Sequence, residues 1–164
     1  MFFELKVLMN NQSNLSVIGL GNILCSDEGI GVYLLRRLQE CSWPVAIDFI
    51  EFGVGGMQLL HLITGRQKVI LLDCAFMGDA PGTIRRFTPD EVISRKNNTG
   101  LSLHEGDLLS ILTLAATIGE SPDEIIIFGI EPAIVTPGME LSPVLSKRLD
   151  EYQAMVTKEI FHID

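Results

Sequence analysis

The sequence lacks any run of lysine or arginine, and its 12 basic residues stand against 21 acidic ones, a net charge of −9. A phosphate backbone or an anionic membrane surface needs clustered positive charge, so neither nucleic acid nor membrane is an expected partner. No apolar stretch approaches the roughly 18–20 residues that cross a bilayer. The opening MFFELKVLMNN carries Glu4 and Lys6 inside its apolar part, unlike a secretory signal. Cysteine is scarce: Cys25, Cys41 and Cys74 are odd in number and lack metal-ribbon spacing, which fits free thiols in a reducing, cytoplasmic setting. A G-x-S-x-G elbow is absent, so a hydrolase serine is not indicated, and no internal repeat or low-complexity segment occurs. What is present is an apolar-rich chain of 164 residues, 47% hydrophobic and 20% charged, enough for one domain with a sizeable core.

Apolar runs of strand length alternate with longer segments of helical period, and that alternation predicts an α/β fold built on one doubly wound sheet. Strands are expected at 15–20, 45–52, 68–74 and 125–130, with a short, half-exposed edge strand at 83–87. Helices are expected over 27–40, with a stripe through Ile30, Leu34 and Leu38, and through Leu59, Leu60 and Ile63. Residues 96–100 read as a loop. The next helix is expected to open with Ser102-Leu103-His104-Glu105, where Ser102 and Glu105 have capping-box spacing, and to continue through Leu108, Ile111, Leu112 and Ala115. Ser142-Pro143 has the form of a helix start, with Leu145, Leu149, Tyr152 and Val156 on one face.

In an open parallel sheet, ligands gather beyond the carboxyl ends of the strands. The polar residues expected there are Asn22, Asp27 and Glu28 after the first strand, Glu51 after the second and Asp73 after the third; His104 and Glu131 complete the set. A dinucleotide site is one reading, with Glu51 as the ribose acid. The G-x-G-x-x-G fingerprint fails at Leu24, and Asp27 and Glu28 bring negative charge toward the place of a pyrophosphate. Glu28, Asp73 and His104 form a more coherent group: two carboxylates and an imidazole suit a divalent ion such as zinc or nickel. Each admits a plainer role, Glu28 as complement to a helix dipole, Asp73 as a loop cap and His104 as an ordinary first-turn residue. Only one of Asp27 and Glu28 is expected to face the crevice, since neighbours on a helix start point to different sides. Cys25 and Cys74 lie near the same edge, where buried small thiols are the plain reading.

Gly19-Leu20-Gly21-Asn22-Ile23-Leu24, followed by Ser26-Asp27-Glu28-Gly29-Ile30-Gly31-Val32, resembles the opening of the nickel–iron (NiFe) hydrogenase maturation endopeptidases. The Asp73 strand end, Pro81-Gly82-Thr83, Ser102-Leu103-His104-Glu105, Gly129-Ile130-Glu131-Pro132, Gly138 and Leu141-Ser142-Pro143 continue the likeness in order, from about residue 15 to 150. The resemblance implies one domain over 1–164, with 1–13 as an extra leader, and a twisted, mostly parallel five-stranded sheet with helices on both faces, of the phosphorylase/hydrolase-like kind. It implies a nickel-dependent endopeptidase that removes a C-terminal extension from the hydrogenase large-subunit precursor after nickel insertion; the oligomeric state is left open, with a monomer favoured. The family's metal positions fall on Glu28, Asp73 and His104, with nickel arriving on the substrate and Asp73 or Glu28, or a metal-polarised water, attacking the peptide. Asn22 and Glu131 are candidate substrate contacts. A non-catalytic nickel or precursor-binding chaperone with the same ligands is the alternative, and a Rossmann-type nucleotide-binding domain a more distant one. Cys74 and the turn Glu51-Phe52-Gly53-Val54-Gly55-Gly56 depart from the family pattern.

Overall fold

In the computed structural model, which describes residues 12–53, 56–99, 102–103 and 106–162, the apolar runs become neighbouring strands of one sheet. They are β1 (Leu15–Gly19), β2 (Ile47–Glu51), β3 (Lys68–Phe76), β4 (Ile84–Phe87), a two-residue β5 (Ser102–Leu103) and β6 (Glu124–Ile130). The main path runs β2-β1-β3-β6-β4, parallel except for the antiparallel edge strand β4. β5 lies off that path and pairs antiparallel with the end of β3, Leu103 opposite Ala75. This is the expected single, mostly parallel five-stranded sheet, with one short addition.

Helices cover both faces: α1 (Ile30–Gln39), α2 (Gln58–Ile63), α3 (Pro89–Thr99), α4 (Gly106–Thr117), α5 (Pro143–Ser146) and α6 (Leu149–Phe161). β3 is central, so both of its faces are apolar. Ile70, Leu72 and Cys74 pack in one cluster with Leu34 and Leu38 of α1 and Tyr152 and Val156 of α6. Val69, Leu71 and Ala75, one residue out of phase, join Leu59 and Ile63 of α2, Val92 of α3 and Leu108, Ile111, Leu112 and Ala115 of α4. Full burial of a side chain of this size contributes about 1.5–3 kcal/mol. The period-2 alternation therefore puts Asp73 on the same face as α2, α3 and α4.

Three local expectations are corrected. Residues 96–99 are the end of α3 and not a loop; Gly100 lies outside the described residues. Thr88 and Glu91 exchange bonds, Thr88 N to Glu91 Oε2 at 2.7 Å and Glu91 N to Thr88 Oγ1 at 3.4 Å, a reciprocal cap followed by Pro89 at the first helical position. The polar face of that helix hides its period in the sequence. Ser102 and Leu103 belong to a strand and not to a helix start, because backbone pairing with Ala75 and Phe76 prevails over the local cap, and α4 begins at Gly106. The final helix is divided: Ser142 caps α5, accepting from Leu145 N at 3.4 Å, and the chain turns at 147–148 before α6.

Candidate functional site

From β1 the chain moves to β2 on one side and then crosses to β3 on the other. The carboxyl ends of β1 and β3 therefore border the switch point, where open α/β sheets place their ligands. Glu28 follows β1, and Asp73 lies near the end of β3.

The segment after β1 is folded tightly so as to present Glu28. Gly21 has φ 112°, and a Cβ there would stand 2.0 Å from the Glu28 carbonyl oxygen, so only glycine fits. Asn22 Oδ1 accepts from Leu24 N at 2.9 Å, and Asn22 Nδ2 reaches Cys25 Sγ at 3.5 Å. A four-residue 3-10 turn, Ser26–Gly29, then leads into α1. Ser26 holds φ 52°, a left-handed conformation costing about 1–3 kcal/mol for a non-glycine residue. Its Oγ donates to Thr136 O and its N–H to Gly138 O, both at 2.8 Å, and these bonds keep it there.

Asp27 and Glu28 have opposite fates, as the helix-start geometry predicts. Asp27 is 0% exposed, and its carboxylate accepts three backbone N–H groups, from Ala133 at 2.8 Å, Ile134 at 2.9 Å and Ser142 at 2.7 Å. It ties the strand-to-helix segment to the chain that follows β6. Glu28 is only half-buried and remains accessible. Partial burial, and then a hydrogen bond to the Glu28 carboxylate, push the neighbouring Cys25 thiol up.

Asp73 is 1% exposed. Cys74 beside it is fully buried, which pushes its thiol up strongly; the charges of Asp73, Glu28, Asp27 and Glu131 add to that in this order. Four carboxylates from three separate segments thus act on one thiol, and the edge is markedly negative. Cys74 is no exposed nucleophile. Glu131, 8% exposed, does not stand in water at its strand end: it accepts from Met77 N at 2.6 Å and Asp79 N at 3.4 Å, holding the turn beyond β3. Tyr152, buried, donates to Gly82 O at 2.7 Å and braces the next turn; burial lifts its hydroxyl to about 12.

His104 lies outside the described residues, so the proposed triplet is seen here as two carboxylates. Among the described residues no three His, Cys, Asp or Glu side chains are grouped as a cation cage. Glu51 turns away from any ribose-binding role and forms an exposed two-pronged pair with Arg36, at 2.6 and 2.9 Å. Leu24 does not obstruct helix–strand packing, since it is 57% exposed. The close approach is made by Gly31, where a Cβ would stand 2.2 Å from Leu72 O. Sequence reasoning left Asp27 ambiguous, and its only legible signal was its place in the Ser26-Asp27-Glu28 motif. Its partners lie 106–115 positions away.

A family model described as hydrogenase maturation protease matches residues 32–159. Among curated proteins, the chain is 28% identical over 144 residues to the hydrogenase expression/formation protein HupD of Thiocapsa roseopersicina, a match covering 86% of this chain and 65% of that protein. It is 30% identical over 136 residues to the hydrogenase 2 maturation protease of Escherichia coli strain K12, covering 82% of each. The chain spans 65, 61 and 58% of the lengths of HupD from Thiocapsa roseopersicina, HupM from Azotobacter chroococcum and HoxM from Azotobacter vinelandii. Among solved structures, the hydrogenase maturating endopeptidase HybD from E. coli superposes with a TM-score of 0.80 at 28% identity, covering 89% of this chain and 91% of that one.

Proposed function

Because this chain belongs to the hydrogenase maturation protease family, we propose that it is an endopeptidase acting on the large-subunit precursor of a nickel–iron hydrogenase. It removes the C-terminal extension after nickel has been inserted. The observation that carries the reading is the placement of Glu28, just after β1, and Asp73, near the end of the adjacent β3, at the switch point of the sheet. β5 adds support, since it brings Leu103, the residue before His104, beside Ala75, two positions after Asp73.

Two carboxylates and an imidazole suit a divalent ion of nickel's ligand preference when further thiolates come with the substrate. Glu28, Asp73 and His104 are the groups that hold it. Carried on the precursor's cysteines, nickel would supply a recognition handle and Lewis acidity there. Glu28, the more accessible carboxylate, accepts a proton from water as the water oxygen bonds to the scissile carbonyl carbon. The C–N bond then breaks, and the proton passes to the leaving amine. Asp73, almost fully buried, keeps its place at the floor of the site. Asn22, half-buried on the rim, contacts the passing chain, and Glu131 shapes the turn across from it. Among the described residues no helix is long and apolar enough to cross a membrane. We place the reaction in the cytoplasm.

The test is mass spectrometry of precursor incubated with the protein, nickel-loaded in one arm and nickel-free in the other. Shortening of the loaded form alone is expected. Equal shortening of both removes the nickel requirement. Stoichiometric retention without shortening replaces the protease with a binding module.

A further inference from the structure

We propose that the strap at 132–142, together with Leu24, docks an apolar stretch of the precursor polypeptide next to the scissile bond. This rests on the endopeptidase reading above and names the surface that recognises its substrate.

The strap has no helix, yet it is fastened along its length. Asp27 N donates to Ile134 O at 3.2 Å, Ser26 N to Gly138 O at 2.8 Å and Gly138 N to Leu24 O at 2.8 Å. Ser26 Oγ holds Thr136 O, the Tyr33 hydroxyl holds Met139 O, and the Asp27 carboxylate holds Ala133, Ile134 and Ser142. Every residue from 133 to 140 is nevertheless exposed. Among them Ile134 is 46%, Val135 38% and Met139 63% exposed, and Leu24, on the segment bonded to the strap, is 57% exposed. Single exposed apolar residues are ordinary. Four on two segments joined by backbone hydrogen bonds concentrate apolar exposure at one rim, as binding surfaces do. A fastened patch also loses little conformational freedom on binding.

Position and charge identify the occupant. Leu24 stands four residues before Glu28, and Asp27 joins the strap to the residue next to that carboxylate. A polypeptide held for cutting at Glu28 therefore runs past this patch. No lysine or arginine occurs from 12 to 35 or from 131 to 146, whereas Asp27, Glu28, Glu131 and Glu140 do. An acidic segment is repelled there, and an apolar or basic one fits.

The test uses the full chain carrying Leu24→Asp with Met139→Asp, and Ile118→Asp as control. Ile118 is 51% exposed just beyond α4, at the opposite end of the sheet. Cleavage of nickel-loaded precursor is followed by mass spectrometry, and affinity is measured against precursor captured on a surface. The double variant is expected to raise KM and Kd by about tenfold or more with kcat within about twofold, at an unchanged melting midpoint. The control should match the parent. Unchanged KM, or an equal rise in the control, overturns the proposal. A concentration-dependent dimer of the parent that the double variant abolishes, with KM unaltered, assigns the patch to a second copy instead. If the parent neither binds nor shortens the precursor, the endopeptidase reading itself fails and the docking surface falls with it.

Discussion

The Asp27 carboxylate accepts the backbone N–H of Ser142 at 2.7 Å across 115 positions of chain, with both residues buried. Two further backbone bonds, from Ala133 and Ile134, complete the grip. Asp27→Asn replaces one acceptor oxygen by a donor, which then faces a backbone donor. A loss of about 2–3 kcal/mol in unfolding free energy is expected. Urea titration measures it, and an unchanged midpoint refutes the anchoring role.

Glu28→Gln keeps the size of the half-buried side chain and removes its proton-accepting capacity. Precursor shortening should fall by roughly 10²-fold or more with little change in stability. Asp73→Asn should lose activity as well. Full turnover by either variant removes that residue from the reaction.

Gly31→Ala probes the packing under the site. Its Cβ would stand 2.2 Å from Leu72 O and 2.5 Å from Leu20 O, both rigid backbone, so α1 must lift off the sheet. The expected cost is about 1–3 kcal/mol or more, together with reduced cleavage, since Leu72 precedes Asp73. Wild-type behaviour in both assays would contradict the observed approach.

At the other end of the sheet, Lys68 Nζ bonds Glu159 Oε1 at 2.9 Å and the carbonyls of Glu159 and His162, both at 3.2 Å, while Arg86 Nε meets Glu159 Oε2 at 2.7 Å. Burial raises the Glu159 carboxyl, but the Arg86 and Lys68 bonds outweigh it and bring it from 4.5 down to about 2. The folded value is the lower one. The stabilisation, roughly 3 kcal/mol at about 1.4 kcal/mol per unit, is therefore complete above 4.5 and fades as pH falls toward 2. Urea midpoints at pH 6 and pH 3 should differ less in Glu159→Gln than in the parent. An identical pH dependence in both would exclude the pairing as its source.

Cys74 is 0% exposed and adjoins Asp73. Iodoacetamide should leave it unlabelled in the native protein and modify it after unfolding, and Cys74→Ala should still cut precursor. Rapid native labelling, or complete loss of cleavage in a folded Cys74→Ala, would return a thiol to the mechanism.

The central strand and the first helix were readable in advance because their signals are local: an uninterrupted apolar run over 68–74, and apolar residues at helical spacing from Ile30 to Leu38. α3 was not, because its cap at Thr88 and Glu91 opens a polar helix with a weak apolar stripe. β5 was not, because two residues pair with β3 through tertiary structure alone. Glu28 and Asp73 could be placed at the carboxyl edge of the sheet from strand ends and motif. The part of Asp27 could not, since a carboxylate bonding amides more than a hundred residues away leaves no periodic trace.

That long reach governs when the protein becomes competent during its own synthesis. The turn bearing Glu28 emerges early from the ribosome, but the amides that steady it belong to Ala133, Ile134 and Ser142, which are translated late. A nascent or carboxyl-terminally truncated chain therefore lacks the three amides that fix the turn bearing Glu28.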